Sequence, residues 1–172
     1  MEKEDFGAVR MTRLCFLGRV APEKGIGVLL EALRLVRTKV ELDIYGIRSD
    51  LGFGIRDSGG ESEPGIRNPE SRIRWLPPVK PEKVVETIAK YDALVVPSVW
   101  LETGPLVVLE AFAAGVPVIG SRLGGIAEMV RDRVNGLLCD PGNASKIASA
   151  IEEIESDRGS LRNNIKIGRA HV

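Results

Sequence analysis

The feature that most constrains the fold of this chain is a regular alternation of short apolar runs with helical patterns. The apolar runs lie at residues 14–20, 40–46, 71–79, 92–98, 116–121 and 136–141. Helical patterns fall between them, as in residues 26–36, where Ile26, Leu29, Leu30, Leu33 and Val36 share one face. The apolar runs are continuous, as a sheet covered on both sides requires. The pattern therefore predicts an α/β fold: a Rossmann-like, doubly wound parallel sheet of about six strands with helices on both faces.

The length of the chain and one irregular segment bound the domain organisation. A chain of 172 residues is long enough to bury roughly two-thirds of its unfolded surface, and we expect one domain over residues 1–172. Residues 51–70 are dominated by glycine, proline and charge, and this composition predicts a long mobile loop. The sequence contains no internal repeat that would indicate a solenoid or an array.

Composition excludes several classes of function. The chain has 24 basic and 24 acidic residues, so it offers no net charge for binding nucleic acid or an anionic membrane. No apolar run approaches the roughly 20 residues that a bilayer span needs, and the charged N-terminus lacks a signal-peptide core. Cys15 and Cys139 lie in apolar runs, as buried free thiols do, so we expect a cytoplasmic protein. His171 is the only histidine, which argues against histidine-based catalysis and a multi-histidine metal site.

The loop that follows the first predicted strand combines glycines with two cations. This segment, "GRVAPEKG", runs from Gly18 to Gly25 and places Arg19 and Lys24 beside the start of a helix. Helix N-termini already favour anions, and two cations there would suit a diphosphate. It is neither a Walker loop nor a G-x-G-x-x-G turn. The alternative is that both residues are ordinary solvated loop cations.

The segment after the fourth predicted strand contains a carboxylate in an almost wholly apolar stretch. A predicted helix begins behind Gly104-Pro105 and ends at Gly115, and Glu110 interrupts it. A helix that is apolar on every side is usually packed on every side, so Glu110 needs a structural partner or a ligand. Glu102 lies in the preceding loop, so the two carboxylates would face one cleft at different depths. A carboxylate accepts two hydrogen bonds side by side, which matches adjacent hydroxyls on a ribose or a hexose.

A third candidate segment follows the fifth predicted strand. Gly124-Gly125 allow another backbone to approach closely ahead of a helix. Glu128, on that helix, faces either the cleft or the solvent. In open α/β sheets ligands bind at the carboxyl ends of the strands, where the strand order reverses, so all three segments are candidates for one site.

Together these segments resemble a known enzyme family. The stretch "PSVWLETGPLVVLEAFAAGVPVIGSRLGGIAEMVRDRVNGLLCDPGN" and the first loop "FLGRVAPEKG" are similar to the donor-binding, C-terminal half of retaining glycosyltransferases with the GT-B fold. The resemblance covers about residues 14–154. It implies an enzyme that moves a hexose from a nucleoside diphosphate sugar to a sugar or lipid acceptor, and it does not identify the sugar. The donor would be a UDP-, GDP- or ADP-sugar, with no cofactor and no metal.

The resemblance also implies roles for individual residues. Arg19 and Lys24 would bind the donor diphosphate and stabilise charge on the departing nucleotide, beside Gly18. Glu102 would hold hydroxyls of the donor sugar, and Glu110 would hold the ribose hydroxyls. The remaining expected contacts are the backbone amides of Leu106 and Val107 with phosphate, and the segment around Val79 with the base.

This sequence departs from the family pattern in places, chiefly in length. Pro77 replaces a frequent glycine after the third strand, and Thr103-Gly104-Pro105-Leu106 replaces a commoner G-F-G-L. Nothing in the chain corresponds to the family's N-terminal acceptor-binding domain. We therefore expect an acceptor domain in a full-length protein or a separate chain, membrane association only through missing parts, and no transfer by this chain alone. Two alternatives stay open: a sugar-nucleotide epimerase of GT-B architecture, and a non-catalytic nucleotide-sugar-binding module.

Overall fold

A computed structural model describes residues 10–47 and 71–169. Six strands alternate with five helices, each close to a segment that the sequence predicted. The strands are β1 (Thr12–Leu17), β2 (Val40–Tyr45), β3 (Arg72–Leu76), β4 (Ala93–Val96), β5 (Val118–Ser121) and β6 (Gly136–Cys139). The helices are α1 (Ile26–Leu35), α2 (Val84–Ile88), α3 (Leu106–Ala114), α4 (Gly124–Met129) and α5 (Ala144–Arg169). Single 3-10 turns at Pro22–Lys24 and Pro81–Lys83 precede α1 and α2.

The six strands form one sheet in the order β3-β2-β1-β4-β5-β6, and every neighbouring pair is parallel. The chain builds outward from β1 to β3 and then returns to the other side of β1 with β4. The strand order therefore reverses between β1 and β4, and the loops that follow these two strands leave the sheet side by side. The prediction of a doubly wound parallel sheet of about six strands is confirmed.

Two apolar cores, one on each face of the sheet, explain why the strand sequences are continuously apolar. On one face, strand residues such as Leu14, Phe16 and Leu42 belong to a core that includes α1 and α5. On the other face, Cys15 and Leu94 belong to a core shared with the helices α2, α3 and α4. Successive residues of a strand point to opposite faces, so a strand covered on both sides needs apolar residues at nearly every position.

Helix α5 is longer than its apolar pattern indicates. The isoleucines at positions 147, 151 and 154 predict a last helix that ends near residue 154, whereas α5 continues to Arg169 and contains Gly159. Its second half buries Leu161 in the same core as Ile151 and Ile154, and Ile165 is also buried. The backbone amide of Arg37, just after α1, donates to the Glu152 carboxylate at 2.8 Å, which ties α5 to the first helix. Tertiary packing therefore outweighs the low helix propensity of glycine in this segment.

Some predictions fall on parts of the chain outside the described residues. These are the loop predicted at residues 51–70, the charged segment at residues 1–9 and His171. Within the described ranges, no helix is both long and apolar enough to cross a membrane.

Candidate functional site

The loops that follow β1 and β4 are docked against each other at the point where the strand order reverses. Gly25 lies between the 3-10 turn and α1 with a φ of +72°, and a Cβ atom there would lie 1.8 Å from the carbonyl oxygen of Pro97. The amide of Val99 donates to the carbonyl oxygen of Glu23 at 3.0 Å. Glycine at position 25 therefore lets the cationic loop rest directly on the backbone that follows β4.

This docking brings Lys24 and Glu102 into contact. The Nζ atom of Lys24 donates to Oε1 of Glu102 at 2.9 Å, and both side chains are partly buried. The hydroxyl of Ser98, which is buried, donates to the same oxygen. No residue in the described parts of the chain donates to the second oxygen, Oε2. Glu102 therefore has one acceptor atom committed to the protein and one available for another donor.

The cavity is the second part of the site. It has a volume of about 430 Å³ and lies at the carboxyl ends of β1, β2 and β3, against α2 and α3. Five of the predicted site residues line it: Gly18, Arg19, Val79, Val107 and Glu110. The other lining residues are Leu17, Tyr45, Gly46, Ile47, Pro78 and Val84. The walls are therefore mostly apolar, with one cation and one carboxylate among the lining side chains.

Glu110 lies in the second turn of α3 and faces this cavity. Burial raises the pKa of its carboxyl group above the ordinary glutamate value. Among the described residues, Glu110 has no hydrogen-bond or ion-pair partner. A half-buried carboxylate without a partner destabilises the folded chain, so its oxygens are available to a ligand with hydroxyl groups.

Helix α3 is less enclosed than the sequence predicted. Val108 and Ala111 are buried, but Leu106 is 66% exposed and Leu109 is 52% exposed. The expectation of a helix packed on every side is therefore wrong, because only one face of α3 contacts the sheet and its neighbouring helices. Its first turn has backbone amides that no helical carbonyl can satisfy, at residues 106 and 107 beside the cavity. Free amides at a helix N-terminus favour anions in general, so the predicted phosphate contact at residues 106 and 107 stays a prediction.

Arg19 reaches the cavity from the loop after β1 and is only loosely held. Its guanidinium contacts Oε1 of Glu23 at 2.7 Å, and the two side chains are 65% and 39% exposed. An exposed ion pair of this kind contributes about 0–1 kcal/mol, so an anion entering the cavity could replace Glu23 at little cost.

The predicted residues thus form two adjoining groups. One group lines the cavity, and the other is the Lys24–Glu102 pair, which does not line it. The loop that carries Arg19 also carries Lys24, and α3, which carries Glu110, follows the loop that carries Glu102. Leu106 lies at the exposed start of α3 and does not line the cavity.

The two glycines at the start of α4 support Glu102. The amide of Gly125 donates to the carbonyl oxygen of Glu102 at 2.7 Å. A Cβ atom at Gly125 would lie 2.8 Å from the amide nitrogen of Gly104. The close backbone approach predicted at Gly124-Gly125 is therefore made by the loop that carries Glu102 and Gly104. Glu128 is exposed and does not line the cavity.

Sequence reasoning missed several lining residues, most notably Tyr45. Tyr45 ends β2, next to the switch point, and Gly46 follows it against Gly18: a Cβ atom at Gly46 would lie 1.9 Å from the Gly18 carbonyl oxygen. The available signal was positional, because any residue at the carboxyl end of β2 is a candidate in a doubly wound sheet. In the described ranges, no group of three or more histidine, cysteine, aspartate or glutamate side chains could hold a metal ion.

The fold and the cavity define a class of protein: a Rossmann-like α/β domain, with the fold of GT-B glycosyltransferases and a cavity beside its topological switch point. A family model, "Glycosyl transferases group 1", matches residues 10–171. The chain belongs to this family.

Individual relatives agree with this assignment. The chain is 33% identical over 163 residues to a D-inositol 3-phosphate glycosyltransferase of Nocardia farcinica, an alignment that covers 87% of this chain and 34% of the relative. The chain thus spans about a third of the length of the curated relatives it matches.

Two solved structures have the same fold. Anabaena HepE in complex with UDP matches with a TM-score of 0.73 and 23% identity, over 90% of this chain and 43% of that protein. Sucrose-phosphate synthase from Thermosynechococcus elongatus matches with a TM-score of 0.72 and 26% identity, over 92% of this chain and 40% of that protein.

Proposed function

We propose that this chain is the donor-binding domain of a retaining glycosyltransferase that transfers a hexose from a nucleoside diphosphate sugar. One observation carries the proposal. The cavity at the switch point joins a half-buried carboxylate, Glu110, which has no partner among the described residues, to a loosely held cation, Arg19, and to the N-terminus of α3. The vicinal hydroxyls of a ribose suit the carboxylate, and a diphosphate suits the cation and the amides at the start of α3. Both parts of a nucleoside diphosphate therefore find matching groups at the cavity.

The first chemical role we propose is the stabilisation of the leaving group. Arg19 and Lys24 would neutralise the charge that develops on the nucleoside diphosphate as its bond to the sugar breaks, assisted by the amides at the start of α3. Two cations and a helix N-terminus would supply this stabilisation without a divalent metal. To reach the diphosphate, Lys24 would exchange its contact with Glu102 for one with phosphate.

The second role concerns the donor sugar. Glu102 lies on the loop that precedes α3, and no described residue donates to its second oxygen. We assign it to the sugar hydroxyls, where it would orient the ring for transfer. The acceptor, a sugar or a lipid, would contact an acceptor domain elsewhere in a full-length protein or on another chain. We propose a cytoplasmic location, supported by the two free, buried cysteines.

The relatives support the reaction class and a nucleotide donor. D-inositol 3-phosphate glycosyltransferase is the name of the Nocardia farcinica relative, and HepE was solved with UDP. This chain spans about a third of such relatives, and we assign it the donor half of the reaction because its cavity suits a nucleotide.

Calorimetric titration with UDP, GDP, ADP and their hexose conjugates tests the proposal. We expect one nucleoside diphosphate to bind best, with addition of chelator making no difference. Glu110→Ala should weaken that binding by about 1–3 kcal/mol, because two hydrogen bonds to ribose are lost. Glu128→Ala, which removes an exposed carboxylate, is the matched control. Glu102→Ala should instead reduce discrimination among the sugars. Absence of binding by all three nucleotides, or unchanged binding in Glu110→Ala, would contradict the proposal.

A further inference from the structure

Tyr45 is the one aromatic side chain among the described residues that line the cavity. It is the last residue of β2, it pairs with Leu17 of β1 across the sheet, and both side chains belong to the cavity wall. Val79 and Val84 line the same cavity from the segment after β3 and from α2. Tyr45 therefore contributes a flat, polarisable ring to an otherwise aliphatic part of the wall.

A second tyrosine holds this ring in place. Tyr91, which is buried, meets Tyr45 edge to face, with ring centroids 6.3 Å apart and an interplanar angle of 83°. The two hydroxyl oxygens are 2.6 Å apart. Edge-to-face packing and a hydrogen bond at the end of the ring together restrict both side-chain torsions of Tyr45.

The direction of this hydrogen bond follows from the next residue in the network. The Tyr91 hydroxyl donates to Oδ2 of Asp43, a carboxylate that is buried within the sheet face. Arg74 donates to both oxygens of Asp43 at 2.7 Å, which fixes the carboxylate in turn. Because the single hydrogen of Tyr91 is committed to Asp43, Tyr45 must be the donor to Tyr91. The network therefore runs from Tyr45 through Tyr91 to the Asp43–Arg74 pair.

The burial of this hydrogen-bond network also favours a fixed position for the Tyr45 ring. Burial, and then the hydrogen bond to Asp43, raise the pKa of Tyr91 well above the ordinary tyrosine value, so its hydroxyl keeps its proton at neutral pH. Asp43 and Tyr91 are buried, so the contacts are shielded from water and are stronger than the same contacts at the surface. The Tyr45 side chain is therefore held in one orientation at the edge of the cavity, which preorganises it for a ligand.

We propose that Tyr45 packs against the nucleobase of the donor, and that Tyr91 and Asp43 are positioning residues that hold its ring for this contact. The inference rests on the function proposed above and adds to it the part of the cavity that recognises the base. With Arg19 assigned to the diphosphate and Glu110 to the ribose, the wall formed by Tyr45, Val79 and Val84 is left for the planar heterocycle. Aromatic side chains bind bases through stacking and apolar contact, and this contact does not require a particular base.

The test compares a ligand that carries a base with one that does not. Wild type and Tyr45→Leu are titrated with UDP, GDP and ADP, and with inorganic pyrophosphate as the base-free probe. We expect Tyr45→Leu to lose about ten-fold or more in affinity for the better nucleoside diphosphate, by analogy with the loss of one base–aromatic contact. Its affinity for pyrophosphate should stay unchanged.

Two conservative variants test the positioning network. Tyr45→Phe and Tyr91→Phe each keep the ring and break the same hydrogen bond, so each should show a smaller loss for the nucleoside diphosphate. The double variant should lose no more than Tyr91→Phe, because that change already removes the Tyr45 contact together with the hydrogen bond to Asp43. Losses that add in the double variant would overturn the positioning role of Tyr91.

The remaining outcomes separate this inference from the proposed function. Nucleoside diphosphate affinity equal to wild type in Tyr45→Leu, or an equal loss for pyrophosphate, would overturn the base contact while leaving donor binding intact. If wild type binds none of UDP, GDP and ADP, the proposed function fails and this inference fails with it. Melting temperatures of all variants show which of them fold, and the two phenylalanine variants decide the question if Tyr45→Leu does not.

Discussion

At the scale of single residues, Glu110 combines a cost in stability with a proposed gain in binding. Its carboxyl group is half-buried, has no partner among the described residues, and has a raised pKa because of burial. A carboxyl group whose pKa is raised by folding favours the folded state when it is protonated and disfavours it when it is ionised. The lack of a partner among the described residues destabilises the protein without ligand, and it leaves both carboxylate oxygens available to a ligand.

Glu110→Gln should therefore stabilise the empty protein at high pH. At pH 8 folding must either bury the charged carboxylate or protonate it, and either costs free energy; glutamine removes that cost. Below the ordinary glutamate pKa of about 4.3 the carboxyl group is protonated in both states, so the advantage of glutamine should disappear. Thermal melting of both proteins between pH 4 and pH 8 measures the difference. A glutamine variant that is less stable than wild type at pH 8 would mean that the protein itself stabilises the carboxylate.

Arg19 gives a second prediction at this scale. If Arg19 contacts the diphosphate, nucleoside diphosphates should bind more tightly than the corresponding nucleosides. Because Arg19 is largely exposed, this advantage should shrink as salt is raised from about 0.05 M to about 0.5 M. Titration of uridine, UDP, guanosine and GDP against wild type and Arg19→Ala checks both effects. Arg34→Ala, which removes an exposed arginine of α1, is the control. Equal affinity for nucleoside and diphosphate would refute the assignment.

At the scale of secondary structure elements, most of the architecture could be predicted because apolar periodicity reports burial directly. All six strands and the reversal of strand order agree with the sequence reading. Contacts between side chains from distant elements could not be predicted. The Lys24–Glu102 pair joins residues 78 positions apart, and nothing in either segment alone encodes it. Tyr45 and the second half of α5 were missed for the same reason, since their environment is supplied by other elements.

The docking of the two loops gives a prediction for the elements that carry the site. Alanine at Gly25 would have to adopt a φ of +72° and would clash with the carbonyl oxygen of Pro97. The left-handed conformation alone costs about 1–2 kcal/mol, and the clash adds to it, so Gly25→Ala should destabilise the protein by more than about 2 kcal/mol. It should also weaken nucleotide binding, because Lys24 would move with the loop.

Gly142→Ala is a matched control for this variant. Gly142 has a φ of +74°, and a Cβ atom there would meet nothing within 4 Å. Gly142→Ala should therefore destabilise the protein only by the cost of the left-handed backbone conformation, about 1–2 kcal/mol, and should leave nucleotide binding unchanged. Urea denaturation and calorimetry with UDP or GDP measure both quantities. Equal destabilisation in the two variants would show that the contact between Gly25 and Pro97 can relax.

At the scale of the whole molecule, we predict that this chain binds a nucleotide but does not transfer sugar. Holding the acceptor hydroxyl close to the donor can account for roughly 7–11 kcal/mol of a barrier, and that second binding surface is assigned to another domain. A site with one wall also leaves charges such as Arg19 in contact with water, where they are screened. We expect dissociation constants in the high micromolar to millimolar range, equivalent to about 4–6 kcal/mol.

Incubation with radiolabelled nucleotide sugars and a mixed lipid and oligosaccharide extract tests this prediction. The assay is run with this chain alone and again with a separately expressed acceptor domain. Transfer only in the mixture would support the division of roles between two domains. Efficient transfer by this chain alone would contradict it.

The pairing of α1 with α5 has a consequence for how the molecule folds during synthesis. The amide of Arg37 contacts Glu152 across 115 positions of sequence, and α1 shares its apolar core with α5. At a synthesis rate of about 5–20 residues per second, α5 is synthesised on the order of ten seconds after α1. The sheet face that carries α2, α3 and α4 has all its helices once α4 ends at Met129. On a ribosome, the opposite face is therefore the last to be covered, and we expect an unfinished chain to aggregate first through the apolar side of α1.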